Sequence, residues 1–365
     1  MRSVILPIFT LIIGLVIGVL FISNKNTNNL ENTTIENSEN ITVKKINWKM
    51  ASTFAGSLTI LGESGLAFSK RIDEVSDGSL SFKFFEPGAL VPALEIFDAV
   101  SSGSVDAGWS TPGYWAGKVP ALQFFAAIPF GPSPGEYLAW LNYGGGKKMF
   151  EEIYSKHNIH PIHCFMISPE ASGWFRKEIN SIDELVGLKM RFFGLGAKVM
   201  EKIGVSTQLL AGGDIFPALE LGTIDATEFS MPVIDRDLGF YQVAKHYYFP
   251  GWHQPTSLGE LIINLDKWNT LSKGQQAQIE STCGESLVKS LSQAEALQGP
   301  AIQELKAQGV TLHKWPNEIL DIFNEKWLEV VEEEAQKDAD FNKVWQSLKK
   351  FRSTYYEWKK LGYLE

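Results

Sequence analysis

The chain opens on an uninterrupted apolar run, Val4 to Ser23 (VILPIFTLIIGLVIGVLFIS), which holds no ionisable side chain. About 18 or more such residues suffice to span a bilayer core. Arg2 precedes the run and the polar stretch Asn24 to Asn40 follows it, a flank order that predicts export of everything downstream. The run lacks an A-x-A cleavage site and a lipidation cysteine, so residues 1–23 read as an uncleaved anchor in preference to a cleaved signal. Residues 24–45, rich in Asn, Thr and Glu, read as a solvated linker with too few apolar side chains to pack.

From Lys45 the pattern changes to short apolar runs alternating with helical periodicity. INWKMAST predicts a strand, Leu58 to Val75 a helix closed by Asp77-Gly78, SLSFKFF a strand, Ala93 to Ser101 a short helix and VDAGWS a strand. This βαβαβ rhythm predicts a parallel sheet clad by helices. The rhythm recurs through HPIHCFMIS, a short helix at Ile182–Val186, LKMRFF, a helix from Leu195 to Ile203, an apolar turn VSTQLL and IFPALELGTIDATEF. Two similar α/β units in tandem are expected. The third pattern is long and helical: Lys267 to Gln308 and Pro316 to Leu364, interrupted near Val310–Trp315, predict bracing helices.

Charge sharpens this division. The whole chain has 33 Lys+Arg against 42 Asp+Glu, a net of −9. Residues 1–45 carry Arg2, Lys25, Lys44 and Lys45 against Glu31, Glu36 and Glu39, a net of +1, so the body carries −10. Such acidity disfavours nucleic-acid binding, which relies on basic side chains at phosphates. It also means that an anionic ligand needs a local cationic device. Two cysteines exclude a disulfide scaffold, and Cys164 and Cys283 read as buried free thiols.

Enzyme motifs are missing: there is no G-x-S-x-G, H-E-x-x-H or phosphate-loop pattern. Gly144-Gly145-Gly146-Lys147-Lys148 reads as a helix entry, and Gly194-Leu195-Gly196 as a close backbone approach without the third glycine of a dinucleotide fingerprint. His157, His160 and His163 have metal-like spacing, but on a strand His160 and His163 face opposite ways. Arg191 is more informative. It ends a predicted strand, where open α/β sheets bind ligands, and a guanidinium there can grip a carboxylate through two parallel hydrogen bonds. A salt bridge to a neighbouring strand-end acid is the plainer role, and Arg176 is a weaker candidate. Glu228 also ends a predicted strand, and with a backbone carbonyl and Gln254 it offers oxygen ligands to a hard cation. Tyr114, Trp115, Trp174 and Trp252 read either as core aromatics or as walls of a pocket for a small organic acid.

At these residues the chain resembles the extracytoplasmic solute-binding subunits of tripartite ATP-independent periplasmic (TRAP) transporters, and most of all the branch binding 2-oxo and 2-hydroxy monocarboxylates with a metal ion. The similar blocks are PGALVPALEIFDAVSSGSVDAG, YWAGKVPA with FFAAIPFG, WLNYGGG, GWFRKEI, GLKMRFFGLG and VAKHYYFPGW, spread from Trp48 to about Asp266. The resemblance implies an α/β, two-lobed periplasmic binding protein with hinge strands, a ligand cleft between the lobes and long C-terminal helices. It assigns 46–168 with 257–296 to the first lobe, 169–256 with 297–340 to the second, and 341–365 to a helical extension that some relatives exchange within a homodimer.

The site it implies places Arg191 on the ligand carboxylate, with Glu170, Phe229, Tyr114, Trp115 and Trp252 around the ligand. Glu228, the Phe229 carbonyl and Gln254 would hold the ion, sodium or calcium. Relatives carry Gln at the position of Glu170 and Glu near that of Gln254, so a carboxylate has changed sides here. MRFFG also departs from the usual MRIPG beside Arg191. The function expected is therefore periplasmic binding of a pyruvate- or lactate-like acid, without catalysis, and its delivery to TRAP permease subunits. The alternatives are a ligand-sensing module and an exported hydrolase working through Glu170 and Glu228.

Overall fold

The computed structural model describes residues 45–364. The anchor and linker expected within 1–44 lie outside the described residues. Among those described, no helix is long and apolar enough to cross a membrane.

Eleven strands are present among the described residues: β1 (Ile46–Ser52), β2 (Leu80–Phe85), β3 (Ala107–Ser110), β4 (Ile159–Ile167), β5 (Gly173–Phe175), β6 (Lys189–Arg191), β7 (Ser206–Gln208), β8 (Ala226–Thr227), β9 (His246–Phe249), β10 (Ser257–Asn264) and β11 (Thr311–Lys314). They form two sheets, ordered β2-β1-β3-β10-β4 and β11-β9-β5-β8-β6-β7. The expected βαβ units are the parallel pairs β1–β2 and β1–β3 in one sheet, and β6–β7 and β6–β8 in the other. Each such pair needs a crossover, and helices α1 (Leu61–Val75), α2 (Ile96–Ser101), α5 (Gly194–Ile203) and α6 (Gly212–Glu220) supply them.

Neither sheet is purely parallel, which corrects the simple reading of the rhythm. β10 runs antiparallel between β3 and β4, and β5 runs antiparallel between β8 and β9. Each of these two strands is reached by a short crossing from the other sheet and not through a local βαβ unit. VSTQLL is also more than a turn: Ser206–Gln208 pairs with β6 as an edge strand. The break near Val310–Trp315 is β11, parallel to β9.

Three segments link the sheets: Ser168–Ser172 between β4 and β5, Pro250–Thr256 between β9 and β10, and the 35-residue helix α9 (Lys273–Ala307). A capping box at Ser272 and Gln275 starts that helix. The two short crossings lie together: the Glu170 amide donates to the Gln254 carbonyl at 3.2 Å, and the Gly251 amide donates to the Glu170 carbonyl at 2.9 Å. This pairing positions the site.

Cys164 on β4 and Cys283 on α9 are joined as a disulfide across 119 residues, correcting the free-thiol reading. Both are fully buried where helix and strand pack, an adjacency that only the tertiary fold creates. The His157–His163 run holds no shared ligand geometry. His160 stacks on Trp268, His163 stacks on Phe150, and burial first of all pushes both imidazoles down to about 4. Gly146 opens helix α4 (Gly146–Ser155), with Gly145 left-handed at φ 89°, as a helix entry requires.

The helices α10 (Asn317–Lys337) and α11 (Ala339–Gly362) close the chain. Helix α11 docks on its own first sheet region: Phe341 and Trp345 meet Phe124, and Arg352 reaches Glu136 and the carbonyls of Phe130 and Gly131. Past Arg352, Tyr356, Trp358 and Leu361 on this helix and Leu364 beyond it are exposed.

Candidate functional site

Arg191 and Glu228 come together because β6 and β8 are parallel neighbours. Arg191 lies opposite Thr227, and the Glu228 amide continues the ladder by donating to the Arg191 carbonyl at 3.2 Å. Two residues at adjacent strand ends thus face one point, as the topology of open α/β sheets favours. The Arg191 Nη1 donates to the Glu228 carbonyl at 2.9 Å and to its Oε1 at 2.8 Å, while Nε reaches the Leu210 carbonyl at 3.3 Å. The Phe193 amide also donates to Glu228 Oε1, at 2.5 Å. The plainer role foreseen for Arg191, a salt bridge to a strand-end acid, is therefore present, and it does not exhaust the site.

Glu228 Oε2 has no hydrogen-bond partner although the side chain is fully buried. It lies 3.4 Å from His253 Nε2, and neither ring nitrogen of His253 makes a hydrogen bond. Burial pushes the Glu228 carboxyl up, but Arg191, His253 and the Phe193 amide together outweigh burial and hold it below its ordinary value.

Glu170 reaches the same point from the first crossing. Its Oε1 accepts from Ser257 Oγ at 3.1 Å and its Oε2 accepts from Gln254 Nε2; Ser257 also donates to Gln254 Oε1 at 2.9 Å. Burial, then the charges of Glu228 and Asp235, push the Glu170 carboxyl well above the usual carboxylate range. Ligand atoms of Glu170, Glu228 and His253 lie within 4.8 Å of one another, and all three residues are buried. An orphaned carboxylate oxygen beside a second carboxylate and an unpartnered imidazole is a donor set that suits a cation.

A small cavity of about 40 Å³ opens beside this cluster. Arg191, Glu170, Gln254, Ser257 and Tyr114 give it a polar side, and Phe54, Phe165, Phe193 and Phe229 an apolar one. The guanidinium carbon of Arg191 stands 5.1 Å from the Phe229 ring centroid. Burial, first of several causes, raises the Tyr114 hydroxyl to about 12, so it enters the cavity as a neutral donor.

Sequence-predicted residues therefore divide in two. Arg191, Glu170, Phe229, Tyr114 and Gln254 line the cavity, and Glu228 lies beside it. Trp115 and Trp252 do not line it. Trp115 donates its indole N–H to Glu260 and packs on Phe97. Trp252 stacks with Phe130 and packs on Phe323 of α10. Trp174 is a core residue, stacked on Tyr247 and bonded to Asp235, and Arg176 caps the Leu219 carbonyl.

The sequence reading missed His253, Ser257 and Asp235. Asp235 takes hydrogen bonds from Trp174, Tyr247 and the Ser230 amide, which ties down the segment just after Glu228. Burial above all raises its carboxyl to about 7. One local signal was available, in the glycines. A Cβ at Gly113 would stand 2.2 Å from the Phe193 ring, and one at Gly196 would stand 2.7 Å from Phe192 and 2.8 Å from His253. The departure MRFFG is thus accommodated by glycines that let both rings lie against backbone.

Residues 51–338 match the family described as bacterial extracellular solute-binding protein, family 7 (DctP). Over 320 residues the chain is 37% identical to a monocarboxylate 2-oxoacid-binding periplasmic protein of Nostoc sp. strain PCC 7120, covering 87% of each. It is similar in structure (TM-score 0.85, 34% identity) to a TRAP transporter solute-binding protein from Bordetella bronchiseptica RB50, a mixed-occupancy dimer with copurified calcium and picolinate, covering 87% of this chain and 95% of that one. A TRAP periplasmic solute-binding protein from Pseudoalteromonas atlantica T6c, with bound sodium and pyruvate, is similar at TM-score 0.84 and 30% identity, covering 87% and 97%.

Proposed function

Because the chain belongs to the DctP family of bacterial extracellular solute-binding proteins, binding proteins and not enzymes, we propose that it captures a small 2-oxo or 2-hydroxy monocarboxylate with a metal ion. We further propose that it delivers the acid to a TRAP membrane permease. The observation that carries this reading is the buried Arg191–Glu228 pair beside a small cavity that Arg191 lines, with Glu228 Oε2 making no hydrogen bond and only His253 Nε2 near it, at 3.4 Å.

In this reading Arg191, oriented by Glu228 and the Leu210 carbonyl, grips the ligand carboxylate with its remaining donors. The guanidinium is held before the ligand arrives, so little ordering is needed on binding. Glu228, the Phe229 carbonyl, Gln254 and Glu170 are the residues that would hold the ion. When bound, the ion supplies positive charge beside the 2-oxo or 2-hydroxy oxygen. Phe54, Phe165, Phe193 and Phe229 exclude water, which strengthens the charge contacts. The site draws on both crossings between the sheets, so closure of the two lobes around the acid would signal occupancy.

A thermal-unfolding series tests this. Pyruvate and lactate should raise the Tm in a concentration-dependent way, and uncharged pyruvamide should not. Equal stabilisation by pyruvamide, or none by the acids, would refute the carboxylate reading.

The family works outside the cytoplasm. Anchoring through Val4–Ser23 is the finer part of this proposal, supported by its 20 residues without an ionisable side chain. Pairing of two copies through the exposed end of α11 is likewise proposed, from the exposed Tyr356, Trp358 and Leu361.

A further inference from the structure

Resting on the reading above, we infer that Phe193 sets the chain length of the acid, confining the site to three-carbon 2-oxo and 2-hydroxy acids. The backbone places its ring. Phe192 continues the ladder past β6, its amide donating to the Gln208 carbonyl at 3.0 Å, and Phe193 is itself extended, at φ −108° and ψ 144°. Side chains two apart on extended backbone share a face, so Phe193 and Arg191 project to the same side. The Phe193 amide is fixed on Glu228 Oε1 at 2.5 Å, and the same oxygen accepts from Arg191 Nη1 at 2.8 Å. One carboxylate oxygen thus ties the root of the ring to the guanidinium, whose carbon stands 6.0 Å from the ring centroid.

The tip of the ring is held from the other sheet. Gly113, just after β3, comes so close that a Cβ there would lie 2.2 Å from the ring tip and 2.8 Å from both adjoining carbons. Tyr114 meets the ring edge-on, with centroids 5.3 Å apart. Packed at both ends and buried, the ring stands as a fixed wall of the cavity it lines.

That cavity, of about 40 Å³, has room for about three or four water-sized groups. With a carboxylate at Arg191 and an oxygen on the second carbon, little is left for a tail beyond one methyl group. Phe165 and Phe229 also line the cavity, but each is committed elsewhere: Phe165 stacks on Trp109 and Phe229 meets Phe240. Phe193 joins the acid's anchor to the far wall, so each added methylene has to displace that ring.

The test is calorimetric titration of the full chain with pyruvate, 2-oxobutanoate and 2-oxopentanoate, in a buffer holding both sodium and calcium. The native chain should bind pyruvate at least about tenfold more tightly than 2-oxopentanoate, an extra methylene being worth roughly tenfold or more. In Phe193→Ala that preference should fall to about threefold or less, with Phe193→Leu between the two. A ring needed only for stability would weaken all three acids by one factor and leave the ratio unchanged. Gly113→Ala should weaken pyruvate binding at least about tenfold in the native chain, and less than about threefold in Phe193→Ala, where the ring it strikes is gone. Equal affinity for the three acids in the native chain overturns the inference, a readout that does not depend on how any variant folds. An unchanged ratio in both Phe193 variants, or a Gly113→Ala effect undiminished without the ring, overturns it too. No binding of any acid by the native chain overturns the underlying reading instead.

Discussion

Glu228, just past β8, and Glu260, on β10, are both completely buried, yet the two are finished differently. Around Glu260 every oxygen is used. The Tyr154 hydroxyl lies 2.7 Å from both carboxyl oxygens, and the Trp115 indole donates to Oε1 at 2.9 Å. Among the described residues it makes no ion pair, and burial raises its carboxyl to about 8 against the pull of the Tyr154 and Trp115 hydrogen bonds. Around Glu228 a charge is matched by a charge, one oxygen is doubly bonded, and the other has no partner. A satisfied buried acid is part of the scaffold, whereas a charged one with a spare lone pair is prepared for something that arrives. The same side chain at the same burial is therefore fully bonded within one sheet and, in the proposed reading, serves binding beside the other.

The strongest way to break this contrast is to truncate each acid in turn. Glu228→Ala leaves the Arg191 guanidinium buried and unpaired, and should cost about 3–5 kcal/mol of stability along with pyruvate binding. Glu260→Gln keeps the shape and two polar atoms of its side chain, and should leave pyruvate affinity within about twofold. Urea unfolding and calorimetry on the two variants read both effects. If Glu260→Gln lost binding as completely as Glu228→Ala, the division between scaffold acid and ligand acid would fail.

A smaller effect sharpens it through pH. The folded value of Glu260, about 8, lies above its ordinary 4.5, so the folded chain keeps a proton that the unfolded chain releases. Its stabilising contribution is complete below about 4.5 and is lost as pH rises through 8. Stability should fall across that window by up to about 1.4 kcal/mol per pH unit from this group. In Glu260→Gln the slope should be shallower by that amount. Unfolding curves at pH 5, 6.5 and 8 provide the comparison, and identical slopes in both proteins would remove Glu260 as the cause.

The parts of the fold that could be read in advance were those set locally. Strand ends and βαβ rhythm placed Arg191 and Glu228 at matching positions, and parallel pairing of β6 with β8 did the rest. What escaped depends on contacts between distant segments. His253 lies on the return crossing and Ser257 opens β10, and both are placed by their proximity to Glu170 and Glu228, which stand far from them in sequence; Ser257 bonds to Glu170 across 87 residues. Trp115 and Trp252 look like pocket aromatics in one dimension, but Glu260 and Phe323 claim them in three. The Cys164–Cys283 bond was hidden for the same reason, since strand and helix stand 119 residues apart and meet only in the folded chain. Its presence accords with an exported chain, because disulfides persist in oxidising compartments.

The account's central claim is that Arg191 holds the carboxylate of the ligand, and pyruvate titration of the native chain and of Arg191→Ala and Arg191→Lys tests it most directly. A charge-assisted hydrogen bond from the remaining Nη2 to a buried carboxylate is worth roughly 1.5–3 kcal/mol, so Arg191→Ala should weaken binding at least about tenfold. Arg191→Lys keeps the charge but loses the planar fork, and should fall between the two. Pyruvate affinity unchanged in Arg191→Ala, with the variant shown to be folded, would contradict the claim.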